Sequence, residues 1–160
     1  MKVFEVMTID VGYCQPEDNL TKAAQIMWEK DCGVVPVVDA EKRIVGVITD
    51  RDIAIAAATR SRRTSSIKTG DMTFRPVKTC FMEDDVKDAL KRMRKYKIRR
   101  LCVINQEKQL HGIVSLSDIL LKAGEKKSVR KLIFSTLEAI ARPAPIVLKE
   151  QDAETKSAKT

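Results

Sequence analysis

Two short segments hold the residue types best suited to chemistry in this chain. Residues 46–52 read GVITDRD and residues 112–118 read GIVSLSD, so each has a glycine, two apolar residues, a hydroxyl and, three residues later, an aspartate. The hydroxyl is predicted to lie where a strand gives way to a helix, whose free N–H groups and positive dipole end can hold a phosphate. The aspartate can accept hydrogen bonds from both ribose hydroxyls. This combination suits a nucleoside phosphate.

The same residues also fit a purely structural role. Thr49 or Ser115 can cap a helix as its N-cap residue, with Asp52 or Asp118 completing a capping box at the third helical position. A cap that lies on a repeated framework is duplicated just as a ligand site is. The sequence therefore leaves both interpretations open for each copy.

These two segments belong to a longer internal repeat. A shift of 66 residues aligns residues 14–53 with residues 80–119 without a gap, and 11 of the 40 positions are identical. Each copy begins with a helix whose apolar residues fall at i, i+3, i+4 and i+7. Two strands separated by a polar turn follow, and a further helix ends the copy. The strands are predicted at residues 34–38, 44–48, 101–104 and 110–114.

The predicted fold class is α/β (α+β), with two β-α-β-β-α units packed as a pseudo-twofold pair through their sheets. One unit of about 55 residues is marginal alone, because its sheet keeps an apolar face that a second unit can cover. We predict a first unit at residues 1–58, a polar linker at 59–71, a second unit at 72–122, a C-terminal helical extension at 123–148 and a disordered tail at 149–160.

The ordered set of motifs resembles a tandem pair of cystathionine-β-synthase-type (CBS) domains, also called a Bateman module. The matching pieces are VMT and DMT at the unit starts, LTKAAQIM and VKDALKRM in the first helices, GVVPVVD and RRLCVIN in the strands, and the two aspartate segments. The resemblance covers residues 3–122. It implies a regulatory module that binds adenosine-containing ligands (AMP, ADP, ATP, sometimes S-adenosylmethionine or dinucleotides) in clefts between the units, controls a separate effector protein and catalyses nothing.

The resemblance also implies roles for individual residues. Asp52 and Asp118 would hold ribose, and the hydroxyls of Thr49 and Ser115 would meet phosphate. The remaining expected ligand residues are Arg51 and Ser117 beside the phosphate, Gly33, Val34 and Val35 at the adenine, and Arg99 and Arg100 at the phosphate. Cys102 stands where the first copy has Pro36, a departure that can make the two clefts unequal.

Composition narrows the classes of function. The net charge is +8, and residues 1–58 carry −4 whereas residues 72–121 carry +5. The run at residues 91–100, KRMRKYKIRR, has seven basic residues in ten. A solvated helix end is the favoured interpretation of that run, and a nucleic-acid-associated regulator and a structural assembly module with vacant clefts are the alternatives.

An enzyme and a membrane protein are both disfavoured. The single histidine, His111, and four cysteines without CxxC spacing make a metal cluster improbable, and no nucleophile–base pair or glycine-rich phosphate loop is present. The cysteines lie among apolar residues, which predicts buried reduced thiols and a cytoplasmic protein. No apolar run of 18 residues exists.

We also expect a homodimer. Family pairs commonly associate through helix faces, and we expect the faces around Ala23–Met27 and Ala89–Met93 to be partly uncovered. Trp28 and Met27 are the candidate interface residues.

Overall fold

The repeat appears directly in the secondary structure of the computed structural model, which describes residues 1–73, 75–123 and 125–143. The first copy contains α1 (Leu20–Glu29), β1 (Val34–Val38), β2 (Ile44–Thr49) and α2 (Asp50–Thr59). The second contains β3 (Thr79–Phe81), α3 (Val86–Tyr96), β4 (Arg100–Ile104), β5 (Leu110–Ser115) and α4 (Leu116–Ala123), and α5 (Lys127–Ala141) follows. The mixed α/β class and the predicted strands are confirmed, with ends that move by one residue.

Each unit is built on an antiparallel hairpin. β1 pairs with β2, and β4 pairs with β5 in the equivalent register. β3 adds a third, parallel strand beside β4, whereas in the first copy a single bridge from Cys14 to Val37 takes that place. Asn19 caps α1, because its Oδ1 accepts the N–H of Lys22 at 3.0 Å.

A local twofold relation joins the two hairpins. The N–H of Ile44 donates to the carbonyl of Lys108 at 3.1 Å, and the N–H of Leu110 donates to the carbonyl of Lys42 at 2.9 Å. These two bonds are exchanged by the 66-residue shift, which maps residue 42 onto 108 and 44 onto 110. The pseudo-twofold axis therefore passes between the starts of β2 and β5.

Each unit has its own aliphatic core, and the first helices turn their apolar faces into it. Ala23, Ala89 and Met93 have no exposed surface, and Met27 is 8% exposed. The expectation that these faces are partly uncovered is therefore wrong for Ala23, Met27, Ala89 and Met93, because each helix lays its stripe on the sheet of its own unit, whereas Ala24 of α1 is exposed.

The chain crosses between the units at both of its unit starts. Val3, Val6 and Met7 belong to the core of the second unit, and Thr8 exchanges two backbone hydrogen bonds with Ile113 of β5, at 2.9 and 3.0 Å. The first residues of the chain therefore complete the more distant unit.

The segment after α2 completes the first unit in the same way. Ile67 is fully buried in its core, and the N–H of Leu20 donates to the Ile67 carbonyl at 3.0 Å. Thr69 is also buried, with its Oγ1 donating to the carbonyl of Gln15 at 2.7 Å. The stretch predicted as a polar linker thus contains structural anchors, and the unit boundaries as numbered above remain a prediction.

The helix predicted after the repeat packs on the second unit. Val129 and Ile133 of α5 join its core, and the buried Thr136 donates its hydroxyl to the carbonyl of Leu132 at 2.8 Å. The disordered tail predicted at 149–160 lies outside the residues that the structure describes. Within the described ranges, no helix has the length and apolarity needed to cross a membrane.

Candidate functional site: a basic cleft between the units

The two aspartate segments form capping boxes, as one of the two interpretations predicts. Asp52 Oδ2 accepts the N–H of Thr49 at 2.9 Å and the Thr49 hydroxyl at 2.6 Å, and the N–H of Asp52 donates to Thr49 Oγ1 at 3.2 Å. The second box repeats these bonds between Ser115 and Asp118 at 2.8, 2.7 and 3.0 Å. The helix starts of α2 and α4 are therefore fixed by the same residues in both copies.

Each capping box uses only one of the two oxygens of its carboxylate. In each box only Oδ2 is engaged, and Oδ1 of Asp52 and of Asp118 makes no hydrogen bond to any described residue. Both carboxylates are half-buried. A cap and a hydrogen-bond acceptor for a ligand can thus coexist in one side chain, because the box also holds the carboxylate in a fixed orientation.

A large cleft of about 1350 Å³ lies against the first of these boxes. Seven of the predicted ligand residues line it: Gly33, Val34, Thr49, Arg51, Asp52, Arg99 and Arg100. Ser115, Ser117 and Asp118 lie outside it. Val35 is fully buried in the first unit's core, so the prediction that it contacts adenine is corrected: it backs the cleft wall from behind. The structure therefore brings residues 46–52, which we call the first joint because they connect β2 to α2, together with the start of β4.

The floor of the cleft is open because residue 33 is a glycine. The N–H of Asp50 donates to the Gly33 carbonyl at 3.4 Å, which sets the β1 start against the first turn of α2. A Cβ on Gly33 would lie 3.0 Å from Asp50 Oδ2 and 4.0 Å from Arg100 Nη1. The glycine thus leaves room beside the helix N-terminus, where a phosphate is favoured.

The sequence analysis did not assign several residues of this cleft to a ligand site. Arg75, Lys78 and Lys97 add three cations, and Trp28 and Tyr96 add two aromatic rings. Arg75 and Lys78 follow the crossing into the second unit, and no spacing pattern marks them. The basic run at 91–100 is the sequence feature that could have indicated some of them. Its last residues line the cleft, so the favoured interpretation of the run as a solvated helix end is wrong for that part.

Trp28 projects away from the protein core. It is 88% exposed although tryptophan is a highly buried residue type on average. Trp28 therefore does not pack within the described part of the chain. The interface interpretation remains a prediction.

The cleft is strongly positive. Its lining includes six basic side chains and three acidic ones, Asp31, Asp50 and Asp52. None of the six cations forms an ion pair with a described acid; Lys78 instead lies 4.5 Å from the ring centre of Tyr96. Cations that are clustered and unpaired repel one another, so an anion that enters the cleft gains from all of them.

The four thiols differ in burial, and two of them, Cys32 and Cys102, line the cleft. Burial raises the pKa of Cys80 and of Cys102 to about 12 and that of Cys14 to about 11, so all three remain protonated at neutral pH. Cys32 is half-buried and its thiol donates to the Val34 carbonyl at 3.4 Å. None of these four cysteines forms a disulfide in the structure, and the prediction of buried thiols is confirmed for Cys14, Cys80 and Cys102 but not for Cys32. Within the described ranges, no three metal-ligating side chains come together.

The second joint, residues 112–118 between β5 and α4, has different surroundings. Leu116, 6% exposed, stands where the first joint has the exposed Asp50, and Ser117 stands where it has Arg51. The two boxes are thus equivalent in backbone and cap but unequal in charge, which agrees with the expectation of unequal clefts.

Comparisons with known proteins agree with this architecture. The CBS domain profile matches residues 3–59 and 70–125. The chain is 36% identical over 123 residues to the uncharacterized protein YlbB of Bacillus subtilis, covering 75% of this chain and 80% of that protein.

Two solved structures share the fold. The CBS domain pair of protein MJ0100, in complex with 5′-methylthioadenosine and S-adenosyl-L-methionine, is 28% identical with a TM-score of 0.67, covering 79% of this chain and 98% of that one. Protein PAE2072 of Pyrobaculum aerophilum, complexed with AMP, has a TM-score of 0.71 at 20% identity, covering 84% and 99%. The latter likeness concerns the fold alone.

Proposed function

The chain belongs to the CBS-domain family, and on that basis we propose that it is a regulatory module that binds adenine nucleotides in the cleft between its two units. The observation that carries the proposal is the meeting of Asp52, with one free carboxylate oxygen, and an unpaired group of cations in one cleft. The MJ0100 domain pair, which holds two adenosine-containing ligands, supports the adenosine part.

Each part of a nucleotide finds matching groups in the cleft. We assign the ribose hydroxyls to Asp52 Oδ1 and the adenine to the wall around Gly33 and Val34. The phosphate is assigned to the α2 N-terminus with Thr49 and Arg51, because the positive end of the helix dipole and a guanidinium both favour a dianion. Arg99 and Arg100 contribute further positive charge. We assign Ser115, Ser117 and Asp118 to a second, less basic site.

A phosphate-bearing ligand suits the cleft better than a cationic one. S-adenosylmethionine carries a sulfonium and an ammonium beside its carboxylate, and six unpaired cations oppose both groups. AMP, ADP and ATP place negative charge where the cations lie. We therefore propose an adenine nucleotide as the regulatory ligand, and we propose no catalytic role and no cofactor.

Regulation follows from the position of the site. A nucleotide that contacts both α2 and the start of β4 binds only one relative arrangement of the two units tightly, and it shifts the population towards that arrangement. A partner protein that senses the arrangement is coupled to the nucleotide by the same free energy. We propose such an effector as a separate protein in the same reducing compartment, the cytoplasm.

The test compares two variants with the same cap but different surroundings. In Asp52→Asn and Asp118→Asn, the amide oxygen can still accept the N–H of the capping residue, so the box is largely kept while the charge is lost. Isothermal titration calorimetry measures the binding of adenosine, AMP and ATP to each variant and to the wild type.

We expect Asp52→Asn to weaken AMP binding by roughly 10- to 150-fold, the equivalent of about 1.5–3 kcal/mol for hydrogen bonds to a charged group. Asp118→Asn should leave the tighter binding event unchanged and affect only a second one. Equal binding of every ligand by the wild type and both variants would show that the two boxes are only caps.

We further propose that two copies associate. Apolar side chains are exposed on α4 and α5, namely Leu120, Leu121, Phe134 and Leu137. A second copy that covers this surface removes these side chains from water, which favours association, and closed dimers are the commonest symmetric assembly. Light scattering should give twice the chain mass of 18.0 kDa, and a mass of 18.0 kDa at tens of micromolar protein would contradict the dimer.

A further inference from the structure

We propose that the cations on the second-unit side of the cleft form a subsite for a terminal phosphate chain, so that the protein binds nucleoside triphosphates in preference to monophosphates. This inference rests on the function proposed above and extends it, because it names the length of the phosphate chain that the site reads. Its residues are Arg75, Lys78, Lys97, Arg99 and Arg100.

The backbone that carries these cations is fixed by hydrogen bonds. Lys97 ends α3 in a left-handed conformation (φ 53°, ψ 44°), and its N–H donates to the carbonyl of Arg94. The carbonyl of Arg99 accepts the N–H of Leu116 at 2.9 Å, and Arg100 pairs with Ser115 at the start of β4. The turn from α3 to β4 therefore presents three cations within four residues, Lys97, Arg99 and Arg100, to the cleft from a rigid base.

The remaining two cations come from the segment that crosses between the units. Thr73, directly before it, packs on Gly46 of β2 so closely that a Cβ on the glycine would overlap the threonine side chain. Lys78 lies 4.5 Å from the ring centre of Tyr96, which favours its position over the aromatic face. Cations from two separate chain segments thus meet in one cleft.

The number of cations exceeds what one phosphate needs. A monophosphate at the α2 N-terminus, assisted by Arg51, carries about two negative charges and leaves the five second-unit cations without a partner. The acids Asp31 and Asp50 form no ion pair with them within the described part of the chain. A triphosphate chain reaches further along the cleft and brings the additional charge that these cations lack.

The size of the cleft leads to the same ligand class. At about 1350 Å³ it is larger than the usual ligand pocket of roughly 300–1000 Å³. A mononucleotide leaves much of that space empty. Electrostatic attraction in the remaining, solvated part is reduced by salt, because the Debye length falls from about 10 Å at 0.1 M to about 3 Å at 1 M.

The experiment measures AMP, ATP and inorganic tripolyphosphate binding by calorimetry without divalent cations, at about 0.1 M and about 1 M salt. The test variant is Arg75→Gln/Lys97→Gln. The matched control is Lys91→Gln/Arg94→Gln, which removes the same charge from exposed residues of α3 outside the cleft. Because tripolyphosphate lacks adenosine, its binding reports on the phosphate chain alone.

We expect the wild type to bind ATP about 10-fold more tightly than AMP at low salt, which corresponds to about 1.4 kcal/mol. The test variant should lose that preference and its binding of tripolyphosphate, while AMP affinity changes less than about 2-fold. The control variant should keep both, and the preference should shrink at high salt.

Other outcomes overturn the inference. Equal affinities of the wild type for AMP and ATP exclude a terminal-phosphate subsite, as does an equal loss for both ligands in the test variant, because a general field weakens every anion. A loss of the same size in the control variant assigns the effect to net charge. If no adenine nucleotide binds but tripolyphosphate binds and is lost in the test variant, the adenosine assignment fails and the phosphate subsite stands.

Discussion

The close approach of the first residues of the chain to the second unit predicts an unusually large effect of Gly112→Ala. A Cβ on Gly112 would lie 2.5 Å from the carbonyl oxygen of Thr8 and 3.3 Å from the sulfur of Met7. The obstacle is backbone, so rotation of a side chain cannot relieve it. Either β5 or the segment that contains Thr8 has to move.

The cost follows from what that movement breaks. Overpacking by a methyl group costs about 1–3 kcal/mol. The two hydrogen bonds between Thr8 and Ile113, at 2.9 and 3.0 Å, contribute about 1 kcal/mol each, and they weaken if the strands separate. We therefore expect Gly112→Ala to lower the free energy of unfolding by about 2–4 kcal/mol, a large part of a typical total of about 5–15 kcal/mol.

Urea denaturation followed by circular dichroism measures this change. The control is His111→Ala, the exposed neighbour in the same strand, which should change stability by less than about 0.5 kcal/mol. A change of that small size for Gly112→Ala would refute the packing of residues 3–8 on the second unit.

The equivalent glycine gives an internal comparison. A Cβ on Gly46 would overlap the side chain of Thr73 rather than backbone. Gly46→Ala should therefore also destabilise the protein, but Thr73→Gly should restore part of the loss in the double variant. No substitution at Thr8 should rescue Gly112→Ala, because a carbonyl remains there whatever the side chain.

Three further measurements test other parts of the structure. Iodoacetamide at pH 8 should modify Cys32 well before the three buried thiols, whose pKa values burial raises to about 11 or 12; mass spectrometry of the folded protein shows the order. The backbone N–H of Lys87 and the N-terminal ammonium hold the pKa of Asp85 below its ordinary value of 3.8, so its stabilising contribution is present above that value and is lost as the pH falls through the lower folded value; Asp85→Asn should flatten the acid side of a urea-midpoint profile. Ile133→Ala should lower the free energy of unfolding by about 2–4 kcal/mol, because Ile133 fills the core beneath α5, whereas Lys131→Ala, at an exposed position of the same helix, should change it by less than about 0.5 kcal/mol; similar values for the two would place α5 elsewhere.

The local elements could be predicted because their signals are local. The stripe from Leu20 to Met27 has helical period, and Val34–Val38 is a short apolar run bounded by polar residues. The structure has a helix and a strand there, and α5 (Lys127–Ala141) lies within the helical extension predicted at 123–148. A 66-residue repeat also predicts a twofold pair without any knowledge of contacts.

The crossing of residues 3–8 could not be read in the same way. Val3, Val6 and Met7 have no period that identifies their partner, and their contacts lie about a hundred residues away in the chain. Similarly, the sequence predicts that Arg75 and Lys97 lie at the surface, but it does not show whether that surface faces bulk solvent or a cleft. Only the fold determines which of these surfaces is concave.

The duplicated aspartate also shows why a repeat alone could not decide its own function. Both copies form the same capping box, so the box explains the presence of an aspartate at both positions and says nothing about a ligand. What differs between the copies is more informative. In the alignment of the repeats, Asp50 and Arg51 correspond to Leu116 and Ser117, so only the first copy has a cation in the first turn of its helix.

A helix cap alone does not explain why Arg51 lies exposed in a cleft with five other cations that form no ion pair with a described acid. The polyanion that we propose for this cleft explains it, because an anion converts the mutual repulsion of the cations into attraction. In the function that we propose, the framework residues shared by both repeats hold the nucleoside, and the residues that the repeats do not share set the charge of the ligand. Residues 46–52 are then the proposed phosphate site, and residues 112–118, with Leu116 buried and no cation at position 117, suit a neutral adenosine moiety.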